Sequence, residues 1–195
     1  MLERHSAIET ALAAGGRDGP GGRRQLRIGE LAGWTLWQAT AYPGTEKAMT
    51  LAIEASLGEL PARVGPAIER AGRRFLRTTP SQVLVLGHEG DGLGGALLGA
   101  VAPEVGALVD LSQARSRFYL EGEPAPEVLR RGASLDLHDE AFPVGHFAQS
   151  GIHHTPVLIH RAGELVWELF ALRTFALDLW EWLADACRPW GYEVE

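Results

Sequence analysis

The sequence holds a single cysteine, Cys187, in 195 residues. An internal disulfide is therefore excluded, and a reducing cytoplasm is the expected home. No apolar run approaches the roughly 20 residues that span a bilayer, so a membrane partner is not expected. The opening stretch MLERHSAIETALAAGG carries two glutamates and lacks an apolar core behind a basic start, which argues against a secretion leader. Positive charge is also short: 18 Lys and Arg stand against 25 Asp and Glu, a net charge of −7. Nucleic acid demands a concentrated basic surface and is excluded as a partner. Arg17, Arg23, Arg24 and Arg27 do cluster, but AAGGRDGPGGRRQ is glycine-rich. Residues 1–25 accordingly read as a flexible arm rather than a binding patch.

The chain has an ordinary globular balance, with 46% hydrophobic and 22% charged residues. QLRIGELAGWTLWQATAY reads as extended, and Thr45 to Leu57 as a helix with Met49, Ile53 and Leu57 at four-residue spacing, ended by Gly58. Glu59 to Ala71 is proline-broken and ambiguous. RRFLRT and QVLVLG predict a hairpin, followed by a short helix near Leu93 to Val101 and the strand GALVDL. The second half runs similarly: strand RSRFYLEG, helix PAPEVLRRG, strands GHFAQSGI, TPVLIHR and ELVWELFA, an amphipathic helix from Phe175 to Cys187, and a final strand WGYEVE. Each half can be written as strand, helix, strand pair, helix, strand. The prediction is an α+β domain over residues 26–195 made of duplicated ferredoxin-like β-α-β-β-α-β halves, about 26–112 and 113–195.

The stretch VLVLGHEGDGLGGALLGA imitates a dinucleotide fingerprint. Gly90, Gly92 and Gly95 fit G-x-G-x-x-G, and Asp110 lies 20 positions after Gly90. Yet GHE separates the apolar run from the first glycine, and the chain beyond Asp110 is rich in hairpins rather than parallel β-α units. With 24 glycines in the chain, a chance match is expected. The reading is a turn in which Asp91 caps a short helix, with no cofactor bound.

Five histidines, His138, His146, His153, His154 and His160, fall within 23 positions. Three could hold a metal ion, but no H-x-x-x-H spacing appears and neighbours along a strand face opposite ways, so no metal site is assigned. Nucleophiles fare no better. Cys187 sits beside the core face of the last helix, and Ser112 lacks a G-x-S-x-G elbow. Asp136 and Asp139 read as turn or cap acids. No catalytic residue is nominated.

Three stretches carry a family resemblance: VDLSQARSRFYLEG, VLRRGASLDLHDEAFPVGHFAQS and LRTFALDLWEWLADA. Their Asp-Leu-Ser strand end (Asp110, Leu111, Ser112), Gly122, Leu-Asp-Leu element (with Asp136 and Leu137) and tryptophan-bearing helix resemble the gamma subunit of heterotetrameric sarcosine oxidase. These motifs are structural rather than catalytic. The resemblance implies a non-catalytic subunit of an oxidoreductase that demethylates sarcosine or a related N-methyl amine. It further implies larger alpha and beta subunits and a small delta subunit as partners, with FAD, FMN, NAD and tetrahydrofolate held by those partners. The implied fold is that of the folate-binding part of the glycine-cleavage T-protein. Catalytic members of that wider group carry an acidic pair in a hairpin. Here the matching positions are His154 and Thr155, and no carboxylate occurs from Gly151 to Gly163. A stand-alone tetrahydrofolate-binding or aminomethyltransferase-like protein is the alternative, and a histidine metalloprotein a further one. Trp180 on the flank of the last helix's core face, Leu177 beyond it and Trp190 just past Pro189 are the expected partner-facing residues.

Overall fold

The structure, a computed structural model, describes residues 5–12 and 15–195. The chain divides into two compact units. One is Gly33–Ser112; the other joins Gln113–Glu195 to the described residues before Gly33.

In chain order the elements are α1 (Glu9–Leu12), β1 (Leu26–Glu30), β2 (Trp34–Ala41), α2 (Glu46–Leu57), β3 (Ala67–Arg70), β4 (Arg73–Thr79), β5 (Gln82–His88), α3 (Leu93–Ala100) and β6 (Gly106–Asp110). Next come β7 (Arg115–Glu121), α4 (Ala125–Arg130), β8 (Phe147–Ile152), β9 (Thr155–Arg161), β10 (Val166–Leu172), α5 (Ala176–Cys187) and β11 (Tyr192–Val194). From β2 onward, each unit runs strand, helix, three strands, helix, strand in the first case and strand, helix, three strands, helix, strand in the second.

The Gly33–Ser112 unit is an antiparallel sheet in the order β3-β4-β5-β2-β6. Without its edge strand β3 it has the ferredoxin-like arrangement that the element order predicts. Helix α2 buries Met49, Ile53 and Leu57, the predicted stripe, among Phe75, Val83, Val85, Leu93 and Leu97. Thr45 Oγ1 donates to Tyr42 O at 2.8 Å at the start of this helix, and Gly58, at φ +102, ends it. The ambiguous Glu59–Ala71 stretch is loop followed by β3. Buried Arg77 fixes that loop by donating from Nε to Pro61 O at 2.6 Å and from Nη2 to Thr50 Oγ1 at 3.2 Å.

The other unit departs from the expected halves. Its sheet runs β11-β1-β7-β10-β9-β8, with β1 inserted between the strands that begin and end the second repeat. β1 pairs parallel with β11 and antiparallel with β7. The first half therefore begins after β1, at Gly33, rather than at residue 26, while its end near residue 112 is as expected. The cause is burial: Leu26 and Ile28 join the core of Phe118, Leu120, Trp167, Leu169, Leu179 and Leu183. Three intervening residues, Leu31–Gly33, are too few to signal that β1 and β2 serve different sheets.

The predicted arm needs the same correction. Residues 1–4 and 13–14 lie outside the described residues, but much of the remainder is tied down. Ile8 is buried in the core, and Arg17 and Tyr192 exchange two backbone hydrogen bonds of 2.8 Å. Arg24 pairs with Asp18 at 2.6 Å.

Candidate functional site

The glycine stretch is a turn into α3. Gly90 and Gly92 take left-handed conformations, and Asp91 Oδ1 accepts the N–H of Leu93, the first residue of the helix, at 2.8 Å. Asp91 is itself paired with Arg73, Nε to Oδ2 at 3.2 Å. A pyrophosphate on this helix terminus would have to displace a carboxylate already there. β5 and β6 are also separated in the sheet by β2, so the strand-helix-strand context of a dinucleotide site is missing. Asp110 acts within its own turn, where its Oδ1 accepts from Ser112 N at 2.8 Å and Ser112 Oγ at 2.5 Å. Ser112 Oγ in turn accepts Leu36 N at 3.0 Å, and Leu111 N donates to Leu36 O at 2.8 Å. The Asp-Leu-Ser turn thus seals the end of β6 onto β2.

Gly122 takes φ +138, with its α-carbon against Gln25 O and the Leu26 side chain. Asp136 Oδ1 accepts His138 N at 3.1 Å, and Leu137 is buried. These motif residues shape turns.

The histidines scatter. His160 is buried on β9, opposite Glu168 in register, with Nδ1 3.6 Å from Glu168 Oε2. His138 contacts Arg130, and His153 and His154 form the β8–β9 turn with ring centroids 4.1 Å apart. Among the described residues no group of three or more His, Cys, Asp or Glu is placed to hold a metal ion. Beside the turn lies a cavity of about 200 Å³ lined by His153, His154, Thr155, Phe175, Asp178 and Trp182. Its volume falls below the several hundred Å³ usual for cofactor sites. Cys187 is wholly buried, and desolvation pushes its thiol up to about 12, with the Arg131 charge opposing. It is a packing residue rather than a nucleophile.

The expected partner-facing trio is divided. Trp180 is only 4% exposed and stacks at a tilt on Phe118, centroids 6.0 Å apart, so it belongs to the core. The reason is helical geometry: the buried stripe is Ala176, Leu179, Trp180, Leu183, Ala186 and Cys187, which turns the face away from the half-buried Phe175 and Trp182. Trp190 is half-buried against the same core, with the Arg131 guanidinium 5.8 Å from its ring. Leu177 alone is exposed, at 46%.

Sequence reading misses the buried charges. Arg117 and Glu168 form a two-pronged pair on adjacent strands, at 2.7 and 3.3 Å. Arg161, on β9, donates from Nη1 to Asp139 Oδ1 at 2.7 Å and Phe142 O at 3.0 Å, and from Nη2 to Glu164 O at 3.2 Å. It organises the long loop between α4 and β8. A signal exists: Glu168 interrupts the apolar strand VWELFAL and Arg161 closes the apolar TPVLIHR, where an unpaired charge is too costly.

Residues 44–188 match the sarcosine oxidase, gamma subunit family. A sarcosine oxidase subunit gamma from Arthrobacter sp is 36% identical over 158 residues, covering 80% of this chain and 77% of its own. The one from Corynebacterium sp. (strain P-1) is 33% identical over 191 residues, covering 97% of this chain and 93% of its own. A chain in the structure of heterotetrameric sarcosine oxidase from Corynebacterium sp. U-96, in complex with pyrrole 2-carboxylate, is similar with a TM-score of 0.84 and 31% identity. That likeness covers 96% of both chains. The glycine cleavage system aminomethyltransferase T from Bartonella henselae has the same fold at 17% identity and a TM-score of 0.61, over 88% of this chain and 48% of that one.

Proposed function

Because the chain belongs to the sarcosine oxidase gamma subunit family, we propose that it is a non-catalytic subunit of a heterotetrameric oxidase that demethylates sarcosine or a related N-methyl amine. The observation that carries this reading is the likeness, along nearly its whole length, to a chain of such an assembly. The side chains agree with it. The β8–β9 hairpin has histidines and a threonine where the catalytic relatives carry acids, and the one thiol is buried and protonated. Alpha, beta and delta subunits are the proposed partners, FAD, FMN, NAD and tetrahydrofolate are their cofactors, and the cytoplasm is the proposed compartment. Co-expression with the large subunits, followed by purification of the assembly and assay of sarcosine oxidation, tests the proposal. Turnover by the assembly and none by the lone chain is expected.

The fold shared with the glycine cleavage aminomethyltransferase motivates a second reading, a tetrahydrofolate-binding protein. Titrating the lone chain with tetrahydrofolate separates the two. Saturable binding at micromolar concentration would favour the second.

A further inference from the structure

Two adjoining clefts lie along α4 in the C-terminal unit. The first is lined by Glu127, Arg130, His138 and Glu140, the second by Pro143, Val144, Arg161, Glu164 and Leu165, and both share Glu123, Pro126 and Asp139. They form one groove between the start of α4, the loop that Arg161 organises and the β9–β10 turn.

One stretch of it is apolar. Val144 and Leu165 are 47% and 49% exposed, and Pro126 and Pro143 stand beside them. Both aliphatic groups rest on a rigid support: Gly145 N donates to Arg161 O at 2.8 Å behind Val144, and Gly122 N to Leu165 O at 3.0 Å. Their exposure is therefore a property of a held backbone. Together in one cleft they offer apolar area that a partner can cover.

Its rim is acidic. Five carboxylates, Glu123, Glu127, Asp139, Glu140 and Glu164, face two guanidinium groups, Arg130 and Arg161. Arg161 is consumed by Asp139 and two carbonyls, whereas Glu123, Glu127, Glu140 and Glu164 make no ion pair among the described residues. The groove thus combines exposed aliphatic side chains with net negative charge, the complement of a segment carrying lysine or arginine next to an apolar side chain.

We propose that this groove docks a basic and apolar segment of a larger subunit of the oxidase. The proposal rests on the subunit reading above. Burial of Val144 and Leu165 supplies contact area, and the four unpaired carboxylates set orientation and speed of encounter.

The test is co-expression of the large subunits with the wild-type chain, with Glu123→Lys/Glu164→Lys, and with Val144→Ser/Leu165→Ser. A control, Glu59→Lys/Glu104→Lys, alters the net charge equally in loops of the Gly33–Ser112 unit. All the substituted positions are at the surface, and thermal melting of each lone chain checks that folding is intact. The groove variants should bind at least about tenfold more weakly than wild type or control near 0.1 M salt. For wild type, the advantage should shrink as salt screens the rim. Groove variants that melt normally and bind like wild type, with the same salt dependence, would overturn the groove while leaving the subunit reading intact. A wild-type chain that recruits no large subunit would overturn both. Misfolding of the Lys pair leaves the serine pair as the deciding variant.

Discussion

The α-carbon of Gly122, just past β7, lies against the main-chain oxygen of Gln25 with no room for a β-carbon, in a backbone conformation of φ +138. That contact lets the chain turn from β7 into α4 while Gln25 leads into β1. Gly122→Ala should lower stability by at least about 2 kcal/mol, since both the conformation and the contact oppose a side chain. Urea unfolding measures it, and a loss under about 0.5 kcal/mol would contradict the close approach.

Asp110 serves its own turn. Asp110→Ala removes the acceptor of two Ser112 bonds and should cost about 1 kcal/mol, seen as a lowered melting temperature. Turnover of the assembled oxidase should stay within a fewfold of wild type. A normal melting curve with a thousandfold loss of turnover would give Asp110 a chemical role.

Trp180 and Leu177 should behave oppositely. Trp180→Ala opens a cavity beside Phe118 and should cost about 3–5 kcal/mol, enough to unfold a marginal chain. Leu177→Ser, at an exposed position, should change stability by less than about 0.5 kcal/mol. Chemical denaturation of the lone chain checks both.

How far these features can be read in advance depends on their range along the chain. The α2 stripe, the α5 helix and the alternation of Phe118 and Leu120 in β7 are legible because local periodicity dictates them. The duplicated α+β order is legible for the same reason. The place of β1 is not, because its partners Tyr192 and Glu121 are distant in sequence and nothing local points to them. Trp180 is misplaced by a wrong centre for a helix with tryptophans at 180 and 182, either of which completes an apolar stripe. The groove escapes notice because its carboxylates are spread from Glu123 to Glu164 and meet only through the fold. The family motif is legible, but its residues are turn-formers, so it marks kinship without marking a site.

The Cys187 thiol offers a pH test. Burial raises it from 9.0 to about 12, so well below pH 9 it is neutral in both folded and unfolded chains. Above that the unfolded chain ionises first, and this contribution to stability is lost as pH rises toward the folded value. Between about pH 8 and about pH 11, wild type should therefore lose more unfolding free energy than Cys187→Ala, with alkylation of the native thiol slow throughout. Parallel losses in the two proteins would contradict the buried, protonated thiol.

The subunit reading is tested most directly by the intact mass, from native mass spectrometry, of the species recovered when this chain is co-expressed with the large oxidase subunits. The predicted result is a heteromeric complex containing this chain, active on sarcosine or a related N-methyl amine. A chain recovered alone, beside large subunits that assemble and turn over without it, would contradict that reading.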